Sequence, residues 1–249
     1  MTTLQNKAIW ITGGLGALGR SAIAMFLGRG ATVIASDRAA LASFPDVERM
    51  AASYGEERFA FLQADLCREA EVASAAAEID RRFGRLDGVY HNVYTNVWKP
   101  ALELSLDEWE DSIRGTLTST FLVCKHALPL LIRSGGGSIV NTSSILGQIV
   151  SPGCLAYGAA KAGVNQFTRV LAADYARYGI RANALVPGDF RSEEALAKQS
   201  EREKEAIRAN AWLGRSGSAD EVNEAAAFLL SDASSYVTGS LFPVDGGFH

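Results

Sequence analysis

Short apolar runs alternate along the whole chain with longer stretches whose apolar positions recur at helical spacing. The runs at 8–12, 32–36, 59–62, 88–90, 138–141, 182–186 and 241–244 have the length and the continuous apolar character of strands buried on both faces. The stretches 17–28, 69–83, 106–132, 155–178 and 219–230 have helical length. This alternation predicts an α/β fold, a doubly wound parallel sheet with helices on both faces. Ser134-Gly135-Gly136-Gly137 reads as a turn, and no linker, repeat or low-complexity tract divides the chain. Residues 1–249 therefore read as a single domain. The charged stretch 192–208 interrupts the pattern after Pro187-Gly188 and predicts a mobile helical excursion, with a substrate lid around 189–213.

Composition agrees. The 249 residues are 48% hydrophobic and 21% charged, enough to build one large core. The formal net charge is −4 with acids and bases mixed, so neither nucleic acid nor an anionic membrane is an expected partner. Cys67, Cys124 and Cys154 are dispersed and accompany no His/Cys cluster. Free thiols, no metal and a cytoplasmic location are the expectation. The N-terminus lacks the layout of a leader peptide, and no apolar run of about 18 residues predicts a spanning helix.

The first strand runs into Thr12-Gly13-Gly14-Leu15-Gly16-Ala17-Leu18-Gly19, which opens the first helix. Glycines allow a tight turn and let a pyrophosphate reach the free N–H groups of a helix N-terminus. The pattern Gly14-x-Gly16-x-x-Gly19 between strand and helix is a dinucleotide fingerprint. Asp37 closes the second strand, 37 − 19 = 18 residues beyond the last glycine. A carboxylate there accepts from ribose hydroxyls and repels a 2′-phosphate, which favours NAD over NADP. Arg38 and Arg20 soften that preference without removing it, so NADP stays open.

Tyr157 and Lys161 are four residues apart, on one face of a helix, and Ser144 lies 157 − 144 = 13 residues upstream. A fixed ammonium beside a phenol favours phenolate and draws the tyrosine toward the range of a working acid/base. A seryl hydroxyl can hydrogen-bond the substrate oxygen on which charge changes. The trio suits interconversion of an alcohol and a ketone.

With Asp65, Asn141-Thr142-Ser143-Ser144, Gly147, Pro187-Gly188, Leu213-Gly214-Arg215 and Val244-Asp245-Gly246-Gly247 added, the chain resembles the short-chain dehydrogenases/reductases of roughly 250 residues over its whole length. The resemblance implies a Rossmann-type sheet of about seven strands. It implies a catalytic group of Ser144, Tyr157 and Lys161, with Ser143 as a competing serine. It also implies a cofactor site built from Gly13, Gly14, Leu15, Gly16 and Leu18, then Asp37, Arg38, Asp65, Leu66 and Asn92. Tyr157, Lys161, Pro187, Gly188, Phe190 and Ser192 complete that site, with Ser192 expected to bond the nicotinamide carboxamide.

Three departures from the family pattern stand out. Ala17 replaces a glycine of the loop, and His91-Asn92-Val93-Tyr94 replaces the usual Asn-Asn-Ala-Gly, with His91 expected as a packed or backbone-bonded imidazole. The relay asparagine is expected at 109 + 7 = 116, counted from Trp109, and the chain has Thr116. A hydroxyl there implies a modified proton relay, or a protein that binds NAD without turning over substrate.

Pocket walls are expected from Tyr94, Asn96, Trp98 and Lys99, then Gln148, Val150 and Cys154, then Phe190 and Trp212, with Tyr94, Trp98, Gln148 and Cys154 as the principal substrate contacts. Their mixed character suits a small polar substrate, sugar-like or a cyclic alcohol. A 3-oxoacyl thioester is the alternative, with Arg133 and Arg177 serving a carrier protein. The small residues around Ala160, Ala162 and Gly163 suit close packing of a homo-oligomer, a tetramer or dimer by resemblance.

Overall fold

The computed structural model describes residues 3–248. Seven parallel strands form one sheet: β1 (Ala8–Thr12), β2 (Thr32–Asp37), β3 (Phe59–Gln63), β4 (Gly88–His91), β5 (Gly137–Thr142), β6 (Ile180–Pro187) and, at the far edge, Leu241–Val244. The spatial order runs β3-β2-β1-β4-β5-β6 and then the C-terminal strand. The direction of travel reverses between β1 and β4, and the crevice that opens at that switch point is where such sheets bind ligands. The central strands β1 and β4 are buried on both faces, which is why they read as continuous apolar runs rather than alternating ones.

Helices α1 (Ala17–Gly28) and α3 (Glu69–Phe83) fall on their expected residues. One helix between them, α2 (Pro45–Tyr54), was not expected, because its apolar stripe is only Val47 and Ala51. The long stretch 106–132 is α4 (Leu106–Ile113), a π turn at Arg114–Thr118, and α5 (Ser119–Arg133). This run has the length and composition of a membrane span, yet it is mostly buried and packs on α3 and the sheet as a core helix. Next come α6 (Leu155–Tyr175) and, after β6, the short strand β7 (Phe190–Arg191). The charged stretch beyond it consists of two short helices, α7 (Glu193–Ala197) and α8 (Glu201–Asn210). A reciprocal cap between Ser200 and Glu203 starts α8. Strand β8 (Gly217–Ser218) pairs with β7, α9 (Ala219–Leu230) covers the sheet, and the edge strand above is β9.

Two apolar clusters fill the two sides of the sheet. One joins α1 and α9 to β1 and β2 through Ile9, Ile23, Phe26, Val222 and Leu230. The other joins α3 and α5 through Trp10, Val72, Ile79, Val123 and Leu131. Together they hold the C-terminal ends of the strands rigid, and the site is built on those ends.

Candidate active site

The glycine loop takes the shape its sequence requires. Gly13 has φ +65°, a left-handed conformation that side chains rarely adopt. A Cβ on Gly19 would lie 2.3 Å from the Gly13 carbonyl oxygen, so only glycine lets α1 close onto β1. No side chain caps α1, whose N-cap is Gly16. The first-turn N–H groups are therefore left to an anion. Asp37 accepts from the Leu15 N–H at 3.0 Å and from the Ala39 N–H at 3.1 Å, which fixes the carboxylate at the edge of the cleft. Asp37, Arg38, Asp65 and Leu66 line one cavity of the cleft. Gly13, Gly16, Asn92 and Tyr94 line both this cavity and the next, so the two are compartments of one crevice. An uncapped helix start, a cradle that a Cβ would fill and a fixed acid beyond it fit a dinucleotide.

The second compartment, about 240 Å³, brings together Leu18, Ser144, Tyr157, Lys161, Pro187, Gly188 and Phe190. β5 ends just before Ser144, and α6 carries Tyr157 and Lys161 one turn apart. Ser144 caps a short turn by accepting from the Leu146 N–H at 3.1 Å. Ser143 is tied by its hydroxyl to the Lys161 carbonyl at 3.2 Å, whereas Ser144 hydrogen-bonds the Tyr157 phenol. Lys161 is fully buried, and its Nζ donates to the Thr142 carbonyl at 2.6 Å.

Burial works against the expected electrostatic help of the ammonium. In the ligand-free cleft the Tyr157 phenol is pushed up by burial, and the Ser144 hydrogen bond only partly opposes this. Lys161 is pushed down to about 7 by burial alone. The lysine sits 5.5 Å from the centroid of the tyrosine ring, and desolvation of both groups outweighs their attraction.

Tyr94 fills the waist of the crevice. Its ring lies edge-on to Tyr157 at 5.9 Å between centroids, and Lys161 Nζ is 5.6 Å from its centre. Behind them His91 is buried between two hydroxyls, Thr12 Oγ1 at 2.7 Å from Nδ1 and Ser119 Oγ at 3.3 Å from Nε2. It is thus bonded to side chains rather than backbone. Burial first and Lys161 second push its pKa down to about 3, so the imidazole is neutral.

Several expected residues lie elsewhere. Gly14 and Leu15 support the loop without lining the cavities: Gly14 packs on Ala35, and Leu15 is buried. Ser192 caps α7 by accepting from the Ala195 N–H and lines a hollow with Arg20 that meets the catalytic compartment at Ala17. Thr116 sits in the π turn, where its hydroxyl accepts from the Thr95 N–H and donates to the Thr95 carbonyl, both at 3.2 Å. That hydroxyl is engaged by Thr95 rather than by Lys161. Gln148 and Cys154 line neither the catalytic compartment nor the cavity outside it. Gln148 closes the turn after Ser144, and Cys154 is buried at the start of α6 beside Lys99. Trp98 does reach a cavity, the outer one, about 540 Å³ in volume, with Ile149, Val150, Ile207 and Phe248. Ile207 and Phe248 escaped the sequence reading because they come from α8 and the C-terminal end, with no motif to mark them. Among the described residues no His, Cys, Asp or Glu group is arranged for a metal, and all three cysteines are free.

A family profile described as enoyl-(acyl carrier protein) reductase matches residues 16–249. A 2,5-dichloro-2,5-cyclohexadiene-1,4-diol dehydrogenase of Sphingobium indicum is 36% identical, covering 100% of this chain and 99% of its own. A cis-4-hydroxycyclohexanecarboxylate dehydrogenase of Sinomonas cyclohexanicum is 36% identical over 96% of this chain and 94% of its own. A 3-oxoacyl-(acyl-carrier-protein) reductase of Aquifex aeolicus is 32% identical, covering 98% of each. The crystal structure of levodione reductase superimposes with a TM-score of 0.89 at 29% identity, covering 98% of this chain and 97% of that one. The chain belongs to the short-chain dehydrogenase/reductase family. It is an oxidoreductase of alcohol and ketone groups, of a family that uses a nicotinamide dinucleotide.

Proposed function

We propose that the protein oxidises a secondary alcohol on a compact carbocyclic ring to the ketone, with NAD preferred over NADP. The observation that carries this reading is the convergence of Ser144, Tyr157 and Lys161 in one compartment of the crevice that the glycine loop and Asp37 share. When bound, the nicotinamide ring supplies the hydride acceptor. The loop N–H groups hold the pyrophosphate, and Asp37 accepts from the adenosine ribose. Ser144 hydrogen-bonds the substrate oxygen and Tyr157 takes its proton. Lys161, as ammonium, stabilises by its charge the Tyr157 phenolate that accepts this proton, and the transfer leaves the neutral phenol. For the reverse reaction Tyr157 returns the proton to the nascent alkoxide.

The ring preference draws on two supports. Relatives named for cyclohexadiene and cyclohexane substrates match the chain end to end. The outer cavity is walled by Ile149, Val150, Ile207 and Phe248, more apolar than a sugar site requires. The thioester alternative is weaker, since Arg133 pairs with Asp80 at 2.7 Å and Arg177 stacks on Tyr178. Free thiols favour a reducing, cytoplasmic setting. Phe121, Leu155 and Val170, exposed on α5 and α6, favour a homo-oligomer.

The test is a matched screen with NAD and NADP over cyclic alcohols, sugars and β-hydroxyacyl thioesters, with Tyr157→Phe as control. The expected result is Tyr157-dependent NADH formation with cyclic alcohols. A preference for thioesters would substitute the acyl reading, and NAD binding with no turnover on any class would favour a non-catalytic binder.

A further inference from the structure

The outer cavity continues from Ser144, Leu146 and Gly188, which it shares with the catalytic compartment. Its polar side chains beyond Ser144 are Ser151, Asp189 and Asn210, and no lysine, arginine or histidine lines it among the described residues. In the catalytic compartment Lys161 is the single cation among the described lining residues. Basic groups close in sequence are paired: Arg191 with Asp189 at 3.5 Å and Glu203 at 2.9 Å, and Lys99 with Glu108. Asp189 is thus the one formally charged side chain lining the outer cavity, and with Glu203 it outnumbers Arg191, so the local balance is negative.

A carboxylate or phosphate entering here would meet Asp189 and find no unpaired cation among the lining residues, so its binding would be disfavoured. An uncharged ring meets different surroundings. Ile149, Val150, Ile207 and the Trp98 and Phe248 rings take its apolar edges. Asp189 and Asn210 stand among them. The Asp189 carboxylate is an acceptor only, on backbone held in place by the Gly217 N–H bonding to its carbonyl at 2.9 Å. Asn210 donates one amide N–H to the Ala206 carbonyl at 2.7 Å, which leaves its oxygen to accept and its second N–H to donate. An acceptor-only carboxylate beside an amide that can donate or accept suits a group that is donor and acceptor at once, and a second hydroxyl on the ring supplies it.

We propose that the outer cavity binds the body of an uncharged carbocyclic diol or polyol. Asp189 accepts from a hydroxyl other than the one oxidised at Tyr157, the Asn210 amide bonds the oxygen of that hydroxyl, and ring carboxylates, phosphate esters and carrier-bound thioesters are excluded. This specificity rests on the alcohol dehydrogenase reading of the same site.

Calorimetric titration of the NADH-saturated protein at neutral pH, with cis-1,2-cyclohexanediol and 4-hydroxycyclohexanecarboxylate as probes, tests it. The diol is expected to bind at least about tenfold more tightly than the carboxylate. Asn210→Lys and Asp189→Asn each shift that ratio toward the carboxylate, the first by adding a cation and the second by removing the like charge. Asp189 also pairs with Arg191, so Asn210→Lys, on exposed α8, carries the test if the other variant fails to fold. Equal or tighter binding of the carboxylate, no measurable binding of the diol, or an unmoved ratio in a folded variant overturns the proposal. Failure of the dehydrogenase reading shows differently, as diol binding with no Tyr157-dependent NADH formation.

Discussion

Lys161 Nζ donates to the Thr142 carbonyl oxygen at 2.6 Å inside a site that leaves the lysine fully buried. The contact joins α6 to the end of β5 and aims the amine at Tyr157 and Tyr94 together. A buried ammonium is costly, and burial accordingly lowers its pKa from 10.5 to about 7.

The sign of the resulting pH dependence follows from that shift. Between about 7 and 10.5 the unfolded chain binds a proton at Lys161 that the folded chain does not. The ligand-free protein thus gains stability from this group as pH rises through that window, and carries the full cost below it. Lys161→Met removes the cost. Its melting temperature relative to the native protein is expected to be highest at or below neutral pH, with the difference closing toward pH 10.5. A gap that does not change with pH would show that the lysine is not titrating in this window.

His91 predicts an acid branch. Its pKa falls from 6.5 to about 3, so stability present above 6.5 is lost as pH drops through that interval. The slope is about 1.4 kcal/mol per pH unit from this group alone. His91→Asn should unfold with a shallower dependence on pH across the same range, measured by urea denaturation at several pH values. An unchanged slope would mean that another group dominates.

Thr116 clamps the backbone of Thr95 with both halves of its hydroxyl. Thr116→Val leaves the Thr95 N–H and carbonyl without those partners and is expected to destabilise the protein by about 1–3 kcal/mol. Turnover should fall with it, because Thr95 anchors the segment that presents Tyr94. Thr116→Ser, which keeps the hydroxyl, should stay near the native values of both. Equal loss in the two variants would assign the effect to packing instead.

Tyr94 stands edge-on to Tyr157, where a ring substrate would lie against it. Tyr94→Ala should raise KM for a cyclic alcohol by roughly 2- to 10-fold, the worth of one aromatic contact. The Kd for NADH, followed by its fluorescence, should move by less than about twofold. A large change in the NADH Kd with KM unmoved would make Tyr94 a cofactor contact.

The primary sequence determined the sheet, the glycine loop and the Tyr157–Lys161 pair. Strands buried on both faces must be continuously apolar, a helix start that receives an anion must be glycine-rich, and i, i+4 spacing puts two side chains on one face whatever surrounds them. Each of these is a local constraint, legible from neighbouring residues. α2 was less legible because two apolar positions make too faint a stripe. Tertiary structure alone decided what those faces meet. It engaged Thr116 with Thr95, bonded His91 to Thr12 and Ser119, and set Gln148 and Cys154 away from the cavities. It also built the outer cavity from Trp98, Asp189, Ile207 and Phe248, which are far apart in the chain. Periodicity encodes that a position is buried, not its partner, and the pKa of Lys161 depends on how completely distant segments exclude water from it.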